Sequence, residues 1–278
     1  MKKIIIFGIL LGTFLRVGDL HAYNLKVMSF NIFRGGLGRI PSIIKFIKRE
    51  KPDIIGIQEA WFSLSGMASE LGYHYDYKSS ILSRYPIVSR FPGRGFNHRD
   101  GILIQIPEKV SGKEKETIGF FNIHLPPYPY TPYLVRDGRS PNESHRLKEI
   151  DIILNKVKAQ NFDFVETPVF LVGDLNTVSH RDWEDKLTPE ELPVTVSIER
   201  QGFKDAYRTL YPDSTLFPGN TWTPKPDQSL EETSDRIDYI FFKGPLTIVK
   251  SRVHDGPVGE KPWPSDHRAV TATFSLDN

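Results

Sequence analysis

The chain of 278 residues carries 36 Lys and Arg against 34 Asp and Glu, is 39% hydrophobic and 25% charged, and contains no Cys. Those proportions belong to a folded globular chain and exclude a disordered tail, a collagen, a coiled coil and a polytopic membrane protein. With no thiol, disulfides, thiolate zinc sites, iron–sulfur clusters and cysteine nucleophiles are excluded, so any metal must sit on oxygen or imidazole ligands.

Residues 1–22 read as a secretory leader: Lys2 and Lys3 form a basic start, residues 4–15 are almost uninterrupted apolar, and Ala22 offers a small residue before Tyr23. The apolar run falls short of the roughly 20 residues that span a bilayer, so cleavage and a secreted or periplasmic location are expected. Removing the leader leaves 33 basic and 33 acidic residues. A polyanion-gripping protein usually shows a basic excess, and this chain lacks that simple signature.

Residues 23–278 show no repeat and no linker between compositional halves, which predicts one domain and no transmembrane segment after cleavage. Taken in chain order, the pattern predicts a strand over 25–31, then a helix from Ile40, Ile43, Ile44 and Ile47, then a buried strand over 53–59. Further strands are predicted over 87–91, 101–106, 118–124, 169–174, 237–242, 246–253 and 269–274. Asn142 or Ser144 is placed to cap a second helix bearing Leu147, Ile150, Leu154 and Val157. Two segments read as excursions: the Pro/Tyr-rich 126–141 and the Pro, Gly, Ser and Thr-rich 213–233. Many strands with few helices imply more than one sheet, so the expected class is α/β, with two packed sheets and outer helices.

Polar residues gather at the ends of these apolar strands. Asn31 closes LKVMSFN, Glu59 closes DIIGIQE, His124 closes IGFFNIH and Asp174 closes PVFLVGD. Asn176 follows two residues later; an extended chain there would put both side chains on one face. Asp238 lies in RIDYIFF, and Asp266 and His267 precede RAVTATF. Singly, each is an ordinary turn former or loop residue. Together, carboxylate, amide and imidazole are what a hard divalent cation and a water nucleophile require.

MSFNI, IIGIQEAW, FFNIHL, FLVGDLN, RIDYIF and WPSDHRAV resemble, in order and spacing, the endonuclease/exonuclease/phosphatase superfamily. That group includes pancreatic-type deoxyribonuclease, neutral sphingomyelinases and inositol polyphosphate 5-phosphatases. The resemblance implies a four-layer α/β sandwich with two mixed sheets and a Mg²⁺-dependent phosphoester hydrolase, with Mn²⁺ as an alternative ion. It implies Glu59 as principal metal ligand with Asn31, and Asp266 as a further carboxylate of the metal site. Asp174 and Asn176 would orient the attacking water and phosphoryl oxygens. His267, held by Asp238, would bond the phosphate, and His124 would serve the leaving side. A register shifted by three would put Asp235 in the place of Asp238.

The substrate stays open at this level: nucleic acid, a phospholipid head group or a soluble phosphate ester. His124 matches the deoxyribonuclease, sphingomyelinase and 5-phosphatase branches, whereas abasic-site endonucleases usually carry Tyr there. Arg136, Arg139 and Arg181 are candidate phosphate contacts, and PPYPYTPY at 126–133 is either an exposed aromatic surface or a loop packed on its own domain. A monomer is expected.

Overall fold

The computed structural model describes residues 23–91, 100–108, 116–222, 234–254 and 263–276. The leader-like 1–22 and the 223–233 part of the second excursion lie outside the described residues. Among the described residues, no helix is long and apolar enough to cross a membrane.

The strands in chain order are β1 (Asn24–Asn31), β2 (Ile54–Gln58), β3 (His74–Asp76), β4 (Ile81–Ser83), β5 (Ile87–Phe91) and β6 (Gly101–Gln105). They continue as β7 (Thr117–His124), β8 (Val169–Asp174), β9 (Lys204–Asp205), β10 (Asp238–Lys243), β11 (Thr247–His254) and β12 (Ala269–Ser275). They form two six-stranded mixed sheets, ordered β11-β12-β1-β2-β4-β3 and β5-β6-β7-β8-β10-β9. The parallel pairs are β1 with β2 and β7 with β8, one at the heart of each sheet.

Strand alternation sorts side chains into layers. On β1, Leu25 and Val27 meet Ile118, Phe120, Phe170 and Val172 of the other sheet, forming the core between the sheets. Met28 and Phe30 point the other way, onto α1 (Ile40–Glu50) and α2 (Leu64–Leu71). On the opposite outer face, Phe121, Ile123, Leu171 and Phe241 pack under helix Ser144–Ala159 and helix Pro193–Arg200. The result is helix, sheet, sheet, helix. Shorter helices, α3 (Thr131–Arg136) and α6 (Ala206–Leu210), sit around the edge. In chain order the two long outer helices are therefore α4 (Ser144–Ala159) and α5 (Pro193–Arg200).

The sequence pattern misses α2, α5 and the short β3, β4 and β9, whose apolar stretches are too brief for a clear period. Helix α4 begins at Ser144, and Asn142 Oδ1 accepts bonds from both the Ser144 N–H at 3.2 Å and its hydroxyl at 2.8 Å.

His254, on β11, is a buried titratable group remote from the polar strand ends. His254 packs edge-on against Phe46 of α1 and hydrogen-bonds the Thr271 hydroxyl at 2.8 Å. Burial depresses its pKa from 6.5 to about 4, against the opposing pull of Glu50. Since the unfolded chain then binds the proton that the folded chain refuses, the stability His254 contributes is complete above about pH 6.5 and is lost as pH falls towards 4. Melting temperature measured against pH should therefore decline through this window, and His254→Gln should flatten that part of the curve. An unchanged slope in the variant would place the acid sensitivity elsewhere.

Candidate active site

The layering that builds the core also aims the polar residues. Val27 faces the other sheet, so Asn31, four residues on, faces it too. By the same parity His124 follows Ile118 and Phe120, Asp174 follows Phe170 and Val172, and Asp238 precedes Ile240 and Phe242. All four side chains therefore turn into the space between the sheets at one end, where the apolar filling stops. Register aligns three of them in a row: Asp174 pairs with His124 on one side and with Asp238 on the other. Gly173 permits the approach. Its φ is 145°, and a Cβ there would fall 1.9 Å from the Ile123 carbonyl oxygen.

His267 arrives from the loop before β12 and completes the row. Its Nδ1 lies 2.9 Å from Asp238 Oδ2. An ionised carboxylate only accepts, so Nδ1–H donates and Nε2 is left facing the recess, 3.7 Å from Asp174 Oδ2. His124 Nε2 stands at the same 3.7 Å from that oxygen. Burial alone would lower the His267 pKa, but the Asp238 and Asp174 carboxylates outweigh it and hold the imidazole up to about 10. Burial and the Asp238 charge push Asp174 up to about 7, against the pull of His267 and of its amide donors. Desolvation keeps His124 below the ordinary imidazole range, although Glu59 and Asp238 favour its charge. The two imidazoles are thus shifted in opposite directions, His267 towards its charged form and His124 away from it.

Asp235, the shifted alternative, is engaged elsewhere. It accepts from the Tyr130 hydroxyl at 2.8 Å and from Arg136 Nη2 at 3.0 Å. Asp238, not Asp235, is the carboxylate on His267.

Glu59 sits one residue beyond β2 with φ 58°, a left-handed turn that swings its carboxylate back towards the recess. Its Oε2 accepts the Arg34 N–H at 2.6 Å. Asn31 bridges the sheets: Nδ2 donates to Asp174 Oδ2 at 3.0 Å and reaches Glu59 Oε1 at 3.3 Å, while Oδ1 accepts the Phe33 N–H at 3.0 Å. The sequence reading has Asn31 as a metal ligand; in this orientation its nitrogen, not its oxygen, meets the carboxylates. Asp266 is half-buried beside Trp222, and its carboxyl is raised first by burial and further by the Glu59 charge.

This donor set suits a hard divalent cation. Ligand atoms of Asp174, Asp238 and His267 lie within 4.8 Å of one another, and Asp238 Oδ1 is buried without a hydrogen-bond partner. Several carboxylates crowded in low dielectric, two of them with raised pKa values, form an electrostatic deficit that a cation relieves. Carboxylate oxygens match Mg²⁺ or Mn²⁺, while His267, holding its proton, faces an anion rather than the metal.

The remaining expected residues are placed as follows. Asn176 has φ 48°, so the chain turns after Asp174 rather than running on extended. The Asn176 N–H donates to Asp174 Oδ1 at 2.8 Å, and its side-chain nitrogen donates to the Leu125 carbonyl at 2.9 Å. This Asx turn fixes Asp174 directly, which an extended strand would not. Each candidate arginine is committed to a carboxylate: Arg136 to Asp235, Arg139 to Asp137 and Arg181 to Glu199. Of the Pro/Tyr-rich loop, Tyr130 is buried and Tyr133 packs edge-on against it, while Tyr128 stands 71% exposed.

Supporting residues escaped the sequence reading. Ser265 donates to the Asn31 carbonyl at 2.7 Å and accepts the His267 N–H at 3.1 Å, tying the end of β1 to the loop that carries His267. Thr221 Oγ1 accepts the N–H groups of Ile237 and Asp238 at 3.0 and 3.1 Å. Ser265 had a signal in its place beside Asp266 and His267. Thr221 had none, because it lies in a segment without periodicity.

Comparison with known proteins agrees with this architecture. The chain is 25% identical over 298 residues to the uncharacterized protein F14F9.5 of Caenorhabditis elegans, covering 91% of this chain and 92% of that one. Its fold matches truncated Caenorhabditis elegans TDP2 with TM-score 0.61 at 24% identity, over 91% of this chain and 97% of that structure. It also matches Danio rerio TDP2 complexed with single strand DNA product, with TM-score 0.60 at 17% identity over 91% and 99%. The family model described as Endonuclease/Exonuclease/phosphatase family matches residues 28–267, which hold every residue of the recess described above. The chain belongs to the endonuclease/exonuclease/phosphatase family.

Proposed function

We propose that this chain is a divalent-metal-dependent phosphodiesterase that hydrolyses its substrate by direct attack of water. One observation carries the reading: the row of His124, Asp174 and Asp238 across three strands, closed by His267 bonded to Asp238. Such a row offers an acceptor, a proton donor and an anion-facing cation within one recess.

The residues divide the work by their protonation. His267, charged and fixed by Asp238, presents Nε2–H to a nonbridging phosphoryl oxygen and stabilises the charge that grows there. Asp174, with its pKa near neutrality, is suited to take a proton from the attacking water. Asn31 and the Asn176 backbone N–H hold that carboxylate in place. His124, with Nε2 3.7 Å from Asp174 Oδ2, is placed to bond the departing oxygen. Glu59, Asp266 and the nearby carboxylates would hold the cation. When bound, it neutralises phosphate charge and lowers the cost of alkoxide departure.

Family members hydrolyse phosphoester bonds, and the zebrafish TDP2 structure holds single strand DNA product within the same fold. Nucleic acid is therefore the first substrate class to assay, beside sphingomyelin and inositol phosphates. We place the mature protein outside the cytoplasm on the leader-like residues 1–22, which is tested by export of a reporter fused behind them.

Bis(p-nitrophenyl) phosphate should be hydrolysed with Mg²⁺ or Mn²⁺ and not after EDTA. Hydrolysis that persists in EDTA rejects the metal dependence, and none with any divalent ion rejects the enzyme reading in favour of a non-catalytic binding module. Mg²⁺ should also raise the melting temperature, since an ion that binds only the folded chain at about 100 times its Kd adds about 2.7 kcal/mol. Glu59→Gln keeps the shape and removes a charge, so most of that rise should vanish. A full Mg²⁺ shift in this variant would remove Glu59 from the metal site.

A further inference from the structure

The mouth of the recess has an apolar, basic shoulder that the proposed chemistry does not use. Leu37, Trp61 and Phe62 are 58%, 51% and 90% exposed. All three belong to the loops that follow Asn31 and Glu59, and those loops are locked together. Gly35 N–H donates to the Glu59 carbonyl at 2.8 Å, and Gly35 lies against the Trp61 ring, where a Cβ would come within 3.3 Å. Phe33, Arg34 and Trp61 hold φ values of 53°, 46° and 42°, a region that bulky residues enter only when their surroundings fix them. Trp61 is thus held outward by a braced turn, and Phe62 follows it into solvent.

Charge extends from the same shoulder. Residues 33–49 include Arg34, Arg39, Lys45, Lys48 and Arg49 and no Asp or Glu, within a chain that is otherwise balanced. On α1, Lys45, Lys48 and Arg49 fall at i, i+3 and i+4 on the exposed face, opposite the buried Ile43, Ile44, Phe46 and Ile47. Arg49 also reaches Glu50 at 3.3 Å. The helix leads away from the mouth for about 16 Å, roughly the reach of a few nucleotides.

Flat apolar groups at the entrance and a cationic row leading away match a polymer with a flat base and one phosphate per unit. A duplex buries its base faces in its own stack, so it cannot use the aromatic groups without unstacking. A small phosphate ester is too short to reach α1. A membrane is a plane and favours cations ringed around the apolar group, whereas these run off to one side.

We propose that Leu37, Trp61 and Phe62, with Arg39, Lys45 and Lys48, form a docking surface for an unpaired nucleic-acid strand, the bases next to the scissile phosphate stacking on Trp61 and Phe62. This rests on the phosphodiesterase reading and specifies its substrate.

The test measures equilibrium binding of labelled oligo(dT), oligo(rU) and a matched duplex to the full chain in EDTA, by fluorescence anisotropy. Single strands should bind more tightly than the duplex, and the two homopolymers show whether deoxyribose or ribose is preferred. Trp61→Ala and Phe62→Ala should each weaken single-strand binding roughly tenfold or more, the scale of one lost base stack. Arg39→Gln with Lys48→Gln should reduce the slope of log K against log salt by about 1.4, or about 0.7 per lost phosphate contact. Far-ultraviolet dichroism and melting temperature confirm that the variants fold, as expected for exposed positions. Duplex affinity equal to single-strand affinity, with no effect of either aromatic substitution, overturns the proposal. So does failure to bind any oligonucleotide with co-sedimentation on phosphatidylglycerol-containing phosphatidylcholine vesicles. Hydrolysis of bis(p-nitrophenyl) phosphate by the unaltered chain distinguishes the two failures: with hydrolysis present, only the docking surface is wrong.

Discussion

Two carboxylates, Asp174 and Asp238, are buried side by side on paired strands, and the site is organised around holding them there. Like charges so placed in low dielectric repel, and each has lost its hydration. The structure answers with a shared positive partner and directed N–H donors. His267 bonds Asp238 and faces Asp174, while Asn31 and Asn176 donate to Asp174. What remains uncompensated, including the orphan Asp238 Oδ1, is the electrostatic deficit on which the proposed cation site rests. A recess that were fully neutralised by its own residues would have less to offer such an ion.

Neither sheet makes this recess alone. One supplies Asn31, with Glu59 and His267 at its ends; the other supplies His124, Asp174 and Asp238. Packing Leu25 and Val27 against Phe120, Phe170 and Val172 therefore sets the distance between the two halves of the recess. A second polar tie lies within that core. Gln58 donates to Asn122 Oδ1 at 2.7 Å, and Asn122 donates to the Ile57, Ser79 and Ser80 carbonyls. Gly56 leaves the space for it, since a Cβ there would come 2.7 Å from Asn122 Oδ1. Those amides stand one residue from Glu59 and two from His124, so hydrophobic burial and amide bonding together fix where the reacting groups sit.

Much of this was legible before any coordinates, because it depends on period. An alternating strand that ends in a polar residue states which face that residue takes, and Asn31, His124, Asp174 and Asp238 all follow the rule. Glu59 and Asn176 do not, since each leaves its strand through a left-handed turn whose direction no alternation encodes. The choice between Asp235 and Asp238 was open in the sequence and depends on long-range partners: Tyr130 and Arg136 for the first, His267 for the second. Net charge is coarser than any motif. The balance over the whole chain hides a run from 33 to 49 that is wholly basic among its charged residues, and only folding puts that run next to the exposed Trp61 and Phe62.

On the proposed mechanism His267 and Asp238 act as one unit within the row. A double-mutant cycle on phosphodiester hydrolysis tests it most directly, with Asp238→Asn, His267→Ala and the pair. Each single change should cost a similar, large factor, and the pair should cost little more than the worse single, because breaking either partner already disables the unit. Losses that multiply in the double variant would mean that the two side chains contribute independently, and the account of the site would be wrong.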